Sequence, residues 1–269
     1  MDCRKIKKLA LELALKAGAI QMRKFRSVLE IRWKGVTDPV TEVDQMSEAL
    51  IIKGIQKAFP GHSILGEETG AHDVAGAQFQ WIIDPLDGTV NYSHGLPVFA
   101  VSIGVYERGK PLIGVVHAPA LRETFVAERG KGAFCNGKRL RVSKMKDPLK
   151  SVLSSGFAYK ARDNGENMRE WMHCIRNFQA IRRMGSAALD ISYTAAGRFD
   201  AFWEYGLKPW DVAAAGLILS EAGGTITNLQ GKPFDMWKPG IVATNGLLHS
   251  KLVSVLKKSL KSKLIWPPK

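Results

Sequence analysis

A run of short strands near the middle of the chain limits the fold most. Residues 99–130, FAVSIGVYERGKPLIGVVHAPALRETFVAERG, predict three strands joined by turns at Arg108-Gly109 and near Pro119. Turns this short join antiparallel neighbours. The apolar segment QWIID at residues 80–84 predicts a strand before them, and Asn136-Gly137 predicts a hairpin after them. This part of the chain therefore predicts a sheet with antiparallel pairing.

Helical periodicity precedes this sheet. Residues 3–25 place apolar side chains on one face at helical spacing, which predicts an amphipathic first helix. We expect a second helix to begin near Asp44, a good N-cap residue, and to end before Pro60. In this second helix, Ala49, Ile52 and Ile55 are expected to face inward.

The second half of the chain alternates helices and strands. Residues 185–197 and 210–224 predict helices, residues 199–204 and 240–245 predict strands, residues 224–234 predict a hairpin, and a last helix is expected near Leu247. Grouped strands followed by alternation indicate an α/β fold of layered sheets and helices. No linker is long enough to separate independent domains. We therefore predict one compact domain, 1–269, with subdomains of about 1–150 and 151–269.

The strand at residues 80–84 ends in an unusual way. Asp84 and Asp87 follow its apolar residues, and two like charges this close repel unless a cation lies between them. Pro85 fixes the bend, so both carboxylates can point to one side with the Leu86 carbonyl as a third oxygen donor. Hard divalent cations such as Mg²⁺ prefer oxygen ligands. The pattern predicts a metal site at this point.

Further acids stand where other elements should begin or end, namely Asp44, Glu67 and Asp211. If a helix begins at Thr89, its free N–H groups can bind phosphate, and Gly88 lets a ligand approach the backbone closely. A metal site beside a phosphate site predicts metal-assisted hydrolysis of a phosphoester. Each motif taken alone also fits a solvated turn or a helix cap.

Composition excludes several other classes. Three widely spaced cysteines and no CxxC pair argue against a disulfide framework or a zinc knuckle, and they fit a reducing cytoplasm. No apolar run reaches the length of a membrane helix, so no membrane partner is expected. The net charge of +14 has no nucleic-acid-binding motif beside it, and we interpret the lysine clusters as solvated faces.

Three segments in this order resemble the inositol monophosphatase family, in particular its bacterial members. They are GEET at residues 66–69, WIIDPLDGTVNYSHGLPVFAVSIG from residue 81, and GSAALDISYTAAGRFDAFWEYGLKPWDVAAAGLILSEAGG from residue 185. The likeness runs from about residue 5 to residue 250, and the motifs together are far more specific than any one of them. It implies the layered αβαβα sandwich of the inositol monophosphatase and fructose bisphosphatase superfamily.

The resemblance also implies roles for individual residues. Metal ligands would be Glu67, Asp84, the Leu86 carbonyl, Asp87 and Asp211. Catalysis would involve Glu67 together with the pair Thr89 and Asp44, which activates the attacking water. Substrate would be held by Asp87, Gly88, Thr89, Gly185, Ser186, Ala187, Glu204 and Asp211. Lys34 aligns with a lysine on a loop near the metals, and we interpret Arg182 and Arg183 as surface charge, although a dimer contact stays open for them.

The expected activity is Mg²⁺-dependent hydrolysis of inositol monophosphate to inositol and phosphate, with inhibition by lithium, in a cytoplasmic homodimer. Two alternatives stay open. One is a fructose bisphosphatase or another small sugar phosphatase, because such relatives share the metal ligands. The other is a protein whose main role is to bind nucleic acid or the RNA-synthesis machinery, which the charge of +14 allows.

Overall fold

The computed structural model describes residues 3–27, 31–33, 39–158, 165–238 and 240–260. Lys34 lies outside these ranges. The α-helices of the described residues are α1 Cys3–Lys24, α2 Glu42–Ala58, α3 Thr89–Ser93, α4 Met168–Asn177, α5 Ala187–Ala195, α6 Pro209–Glu221 and α7 His249–Leu260. The strands are β1 Ile31–Trp33, β2 Pro39–Thr41, β3 Ser63–Gly66, β4 Gly70–His72, β5 Phe79–Asp87, β6 Ala100–Glu107, β7 Lys110–Ala118, β8 Glu123–Glu128, β9 Gly132–Cys135, β10 Lys138–Arg139, β11 Val152–Ser155, β12 Ala180–Arg182, β13 Ala201–Glu204, β14 Thr225–Thr227 and β15 Ile241–Thr244.

Two large sheets form the centre of the molecule. The first has eight strands in the order β10-β9-β8-β7-β6-β5-β3-β4. Its neighbours are antiparallel, which confirms the prediction for residues 99–139, except that β3 and β5 run parallel. The second sheet has the order β12-β11-β13-β15-β14, in which β11 is parallel to both of its neighbours. β1 and β2 form a separate antiparallel pair.

Helices and sheets alternate in layers. Helices α1 and α2 bury Leu13 and Ile51 against Trp81 and Ile103 on one face of the first sheet. Helices α5 and α6 lie between the two sheets, and α4 and α7 cover the outer face of the second sheet. This order of layers confirms the αβαβα sandwich. The division into subdomains near residue 150 stays a prediction.

Helix α6 packs unusually closely on the first sheet. A Cβ atom at Gly104 would lie 2.8 Å from the Ala213 Cβ, and one at Gly114 would collide with the main-chain oxygen of Ala214. Glycine at both positions lets the helix backbone approach the strands directly. The close approach fixes the position of α6, which carries Asp211 at its N-terminal end.

Replacing Gly114 by alanine should therefore destabilise the fold by about 1–3 kcal/mol, because the obstacle is backbone and cannot rotate away. Urea unfolding followed by far-UV circular dichroism measures the change. Gly61→Ala is the matched control, since a Cβ there meets no atom within 4 Å. An unchanged midpoint for Gly114→Ala would contradict this account of the packing.

The start of α2 differs from the prediction. Thr41, not Asp44, is the N-cap, and Asp44 occupies the third helical position of a capping box. Ile52 and Ile55 are buried as expected, but Ala49 is exposed, so that prediction was wrong. Glu48 is buried beside it instead, because its carboxylate accepts hydrogen bonds from the β3–β4 turn.

The predicted hairpin at residues 224–234 is only partly formed. β14 pairs with β15, and within the segment itself one isolated bridge joins Thr227 to Pro233. None of the helices in the described ranges combines the length and apolar character of a bilayer span.

Candidate metal and phosphate site

A cavity of about 560 Å³ opens where β3, β5 and β13 end and where α3, α5 and α6 begin. The predicted residues that line it are Glu67, Asp84, Leu86, Asp87, Gly88, Thr89, Gly185, Ser186, Ala187, Glu204 and Asp211. Among the predicted site residues that the structure describes, Asp44 does not line the cavity; it lies behind Thr89, with 1% of its surface exposed. The structure thus gathers acids from widely separated parts of the sequence around one space.

The end of β5 supplies two of these acids. Its register against β6 shifts between Asp84 and Asp87, as the intervening Pro85 requires. The Leu86 amide donates to Asp84 Oδ1 at 2.9 Å, and Gln21 Nε2 donates to the Pro85 carbonyl at 2.8 Å from α1. These two hydrogen bonds hold the bend at Pro85, one from within the turn and one from α1.

Helix termini hold the next two acids. Asp87 Oδ2 accepts hydrogen bonds from Ser186 Oγ at 2.6 Å and from the Ala188 amide at 2.7 Å, at the N-terminal end of α5. Asp211 is the third residue of α6, and its Oδ2 accepts a hydrogen bond from the Lys208 amide at 2.7 Å. Positive helix ends thus face the cavity beside the carboxylates.

Glu67 reaches the same cavity because β3 runs parallel to β5, so that both strands end at the same edge. The turn that carries Glu67 is held by Glu48, whose carboxylate accepts the amides of Glu68 at 3.0 Å and Thr69 at 2.8 Å. Sequence reasoning missed Glu48. The sequence signal for it was a charged residue at a position of α2 that should be buried.

Thr89 and Asp44 are joined directly. Thr89 Oγ1 lies 3.0 Å from Asp44 Oδ1 and also 3.0 Å from the Leu86 carbonyl oxygen. Asp44 is held in turn by Thr41, whose amide and hydroxyl donate to Oδ2 at 2.8 and 2.6 Å. Helix α3 begins at Thr89, as expected, after Gly88 with φ of 98°. A Cβ at Gly88 would lie 2.8 Å from the Val98 carbonyl oxygen, so the backbone conformation and the space both require glycine.

The acids raise one another's pKa. Burial is the largest cause of the raised pKa of Asp84, followed by the charges of Glu67, Asp87 and Asp211. The pKa of Asp211 is raised well above its ordinary value by burial and next by Asp87. Burial raises the pKa of Asp87 to about 6, although the hydrogen bonds from Ser186 and Ala188 oppose the shift. Asp87 and Asp211 keep part of their surface toward the cavity, so a cation placed there can reach them.

These residues fit a hard divalent cation by donor chemistry. Their donor atoms are carboxylate and carbonyl oxygens, the ligands that Mg²⁺ takes. Within the described ranges, however, no group of three or more His, Cys, Asp or Glu side chains is already drawn together tightly enough to hold a metal ion. Like charges at short range repel, and a cation among these carboxylates would oppose that repulsion.

Three more residues of the site were not assigned by the sequence. Asn91 Nδ2 donates to the Val98 and Met184 carbonyls, both at 2.8 Å, and so ties α3 to the segment before α5. Asp190 lines the cavity from α5. Arg183 also lines it, with its guanidinium 5.3 Å from the centre of the Phe157 ring, and Arg182 does not. Both arginines are exposed, and their interpretation as surface charge stays a prediction.

The fold and the site together define a class: layered α/β proteins in which acids and helix ends surround one cavity suited to a cation and a phosphoryl group. The sequence model of the inositol monophosphatase family matches residues 2–261, and the chain belongs to that family.

Individual relatives agree with this assignment. The chain is 39% identical over 255 residues to an inositol-1-monophosphatase of Mesorhizobium japonicum, covering 94% of this chain and 96% of the relative. It is 41% identical over 265 residues to the Nus factor SuhB of Pseudomonas aeruginosa, covering 95% and 97%. The crystal structure of the extragenic suppressor protein SuhB from Bartonella henselae superposes with a TM-score of 0.91 at 38% identity, covering 94% and 99%.

Proposed function

We propose that this chain is a Mg²⁺-dependent phosphoric monoester hydrolase that converts inositol monophosphate to inositol and phosphate. The observation that carries the proposal is the convergence of Glu67, Asp84, Asp87 and Asp211 on one cavity beside the Thr89–Asp44 pair. The family assignment supports phosphatase activity, and a relative 39% identical to the chain is named inositol-1-monophosphatase.

The metal would be held by Glu67, Asp84, the Leu86 carbonyl, Asp87 and Asp211. When bound, Mg²⁺ would neutralise the phosphate dianion, acidify a water and stabilise the leaving oxygen. The carboxylates would be positioned for this by the backbone amides that already hold Asp84, Asp87 and Asp211.

The protein's own groups would orient the reactants. The Thr89 hydroxyl carries one proton, and Asp44 Oδ1 and the Leu86 carbonyl oxygen both lie 3.0 Å from its Oγ1. With that proton directed to Asp44, the lone pairs of Oγ1 would accept a hydrogen bond from the attacking water. The pKa of Asp44 is raised first by burial, while its hydrogen bonds from Thr41 and Thr89 lower it. As the water gives its proton to Thr89, Thr89 would pass its own proton to Asp44, so that the hydroxyl stays neutral and Asp44 ends protonated. The backbone around Gly88 would receive the phosphate oxygens, because a helix begins there.

The alcohol part of the substrate would contact the opposite wall. Gly185, Ser186 and Ala187 precede or begin α5, and Glu204 ends β13. Glu204 has 8% of its surface exposed and lines the cavity. Its carboxyl group would accept hydrogen bonds from hydroxyl groups of a polyol.

A panel of phosphomonoesters assayed with Mg²⁺ and with EDTA tests the proposal. We expect inositol monophosphate to be hydrolysed only with Mg²⁺, with lithium lowering the rate. Equal rates in EDTA, or no hydrolysis of any phosphomonoester with Mg²⁺ or Mn²⁺, would contradict it. We also expect a homodimer in size-exclusion chromatography. Three free thiols fit the reducing cytoplasm as its compartment.

A binding role in the RNA-synthesis machinery is the second candidate. The relative named Nus factor SuhB and the net charge of +14 support it. The test measures salt-dependent RNA binding by the wild type and by Asp84→Asn. Binding that survives the substitution while hydrolysis is lost would show two separable roles, and absence of binding at low salt would remove the RNA-binding role.

A further inference from the structure

Glu48 is a buried acid that lies outside the cavity. It stands in the interior of α2, one helical turn after Asp44, and 0% of its surface is exposed. Each oxygen of its carboxylate accepts one backbone amide, that of Glu68 at 3.0 Å and that of Thr69 at 2.8 Å. Burial of an acid is costly, and an apolar residue of similar volume often stabilises a fold as well or better. Stability alone therefore does not explain an acid at this position.

The two hydrogen bonds act on the turn that carries Glu67. One of the amides belongs to the peptide group between Glu67 and Glu68, so Glu48 fixes the orientation of that group. On its other side, the Glu67 amide donates to the carbonyl of Ile83 at 3.2 Å, and Ile83 directly precedes Asp84. The main chain of Glu67 is therefore held from both sides, by α2 and by β5.

This turn lies at an edge of the first sheet. Strand β4, which follows the turn, is the last strand in the sheet order and has three residues, Gly70–His72. Such short edge segments are among the parts of a protein that open most readily. Helix α2, by contrast, has 17 residues and packs against the centre of the sheet. Glu48 thus ties a weakly supported turn to a firmly packed helix.

Gly66 leaves the space that the carboxylate occupies. A Cβ atom at Gly66 would lie 2.7 Å from the carboxyl carbon of Glu48 and 2.7 and 2.8 Å from its two oxygens. The φ angle of Gly66 is not in the left-handed region, so the backbone conformation does not demand glycine there. The position of the Glu48 side chain is what excludes a larger residue. The strand and the helix acid are therefore fitted to one another.

We propose that Glu48 is a positioning residue of the metal site, which sets the affinity for the divalent cation by fixing the main chain around Glu67. The inference rests on the proposed function, in which Glu67 is a ligand of the metal. A ligand on a loose turn must be ordered when the ion binds, and that ordering weakens binding. Residues that hold a metal ligand in place typically contribute about 10–100-fold to metal affinity.

Helix α2 then carries two acids with different roles. Asp44 lies 3.0 Å from the Thr89 hydroxyl and would take part in proton transfer. Glu48 follows four residues later on the same face of the helix and holds the turn of Glu67. Substitution of Asp44 should therefore lower kcat, whereas substitution of Glu48 should weaken metal binding. A general disturbance of α2 would change both quantities together.

The experiment titrates the metal-free full-length protein with Mn²⁺ in the absence of substrate and follows the free ion by electron paramagnetic resonance. The variants are Glu48→Gln, which keeps the shape and one acceptor oxygen, and Asp44→Asn. Ser47→Ala is the matched control, because Ser47 is the neighbouring buried residue of α2 and its hydroxyl has no partner among the described residues. Hydrolysis of inositol monophosphate is measured in parallel over a range of Mg²⁺ concentrations.

We expect Glu48→Gln to raise the Kd for Mn²⁺ by about tenfold, because the glutamine NH₂ group would face a backbone N–H that needs an acceptor. The Mg²⁺ concentration for half-maximal activity should rise in parallel, and most of kcat should return at saturating Mg²⁺. Asp44→Asn should lower kcat and keep the Kd, and Ser47→Ala should keep both. An unchanged Kd in folded Glu48→Gln, or an equal loss of rate at every Mg²⁺ concentration, would overturn the inference.

Two further measurements do not depend on the folding of Glu48→Gln. Gly66→Ala approaches the same contact from the strand, and it should also raise the Kd for Mn²⁺, since its Cβ would displace the carboxylate. In the metal-free wild type, the amides of Glu68 and Thr69 should be protected from hydrogen exchange. Exchange of both amides at the rate of an unfolded chain would overturn the inference.

The outcomes also separate this inference from the proposed function. Hydrolysis by the wild type together with an unchanged Kd in Glu48→Gln and in Gly66→Ala would overturn the role of Glu48 and leave the phosphatase function intact. A wild type that binds no Mn²⁺ and hydrolyses no phosphomonoester would overturn the proposed function and this inference with it.

Discussion

Replacing Asp84 by asparagine should lower kcat/KM for inositol monophosphate by at least about three orders of magnitude while the protein stays folded. Asp84 stands at the centre of the acids, since Glu67, Asp87 and Asp211 all contribute to its raised pKa. Asparagine keeps the shape and the acceptor oxygen but removes the negative charge that would hold Mg²⁺. The loss corresponds to about 4 kcal/mol of transition-state stabilisation, within the range of a bound metal ion.

The same substitution should stabilise the metal-free protein at neutral pH. The pKa of Asp84 is raised in the folded state, so between its unfolded and folded pKa values the folded chain binds more protons. Its ionisation therefore costs stability as pH rises, and asparagine removes that cost. In EDTA the melting temperature of Asp84→Asn should exceed that of the wild type at pH 8, and the difference should disappear toward about pH 4, near the ordinary pKa of an aspartate.

Steady-state kinetics with Mg²⁺ and thermal melting in EDTA measure the two effects. The same change at an exposed acid, Asp73→Asn, is the control and should alter neither. More than a tenth of the wild-type rate in Asp84→Asn would show that this carboxylate does not hold the metal. A lower melting temperature without metal would show that the acids do not repel one another.

Local sequence signals were sufficient for the end of β5. The signals are an apolar run with β-branched residues, a proline that bends the chain, and two acids. All of them are local, so they do not depend on which elements pack nearby. Asp84 and Asp87 do line the cavity. The sequence also carries a signal for the start of α2, but the N-cap was predicted at the wrong residue. Thr41-Glu42-Val43-Asp44 carries a hydroxyl residue three positions before an acid, which is the pattern of a capping box.

Other parts of the fold depend on distant partners. β11 and β12 have four and three residues and pair in parallel across an intervening helix, so no hairpin signal marks them. Helix α4, Met168–Asn177, was missed although its apolar residues lie on one face, which packs with α7 against the second sheet. Asp190 gave no local signal, since its burial arises where α5 meets the cavity wall.

Replacing Thr89 by alanine should lower kcat by about two to three orders of magnitude with little change in KM. The hydroxyl links the cavity to Asp44 through a 3.0 Å hydrogen bond, and no other described side chain that lines the cavity donates a hydrogen bond to Asp44. Removal of a positioned proton acceptor costs about 10²–10⁴ in rate. Thr89→Ser keeps the hydroxyl and should retain most of the activity, which separates the loss of this group from a change in packing.

Asp44, which accepts the hydrogen bond from Thr89, allows a second test of the role of Thr89. If Thr89 acts through Asp44, the Thr89→Ala and Asp44→Asn effects on kcat should not add, and the double variant should be about as slow as the slower single variant. Additive losses would mean that the two residues act independently. Normal turnover by Thr89→Ala would remove its role in orienting the water, and the metal site would then have to activate the water without this hydroxyl.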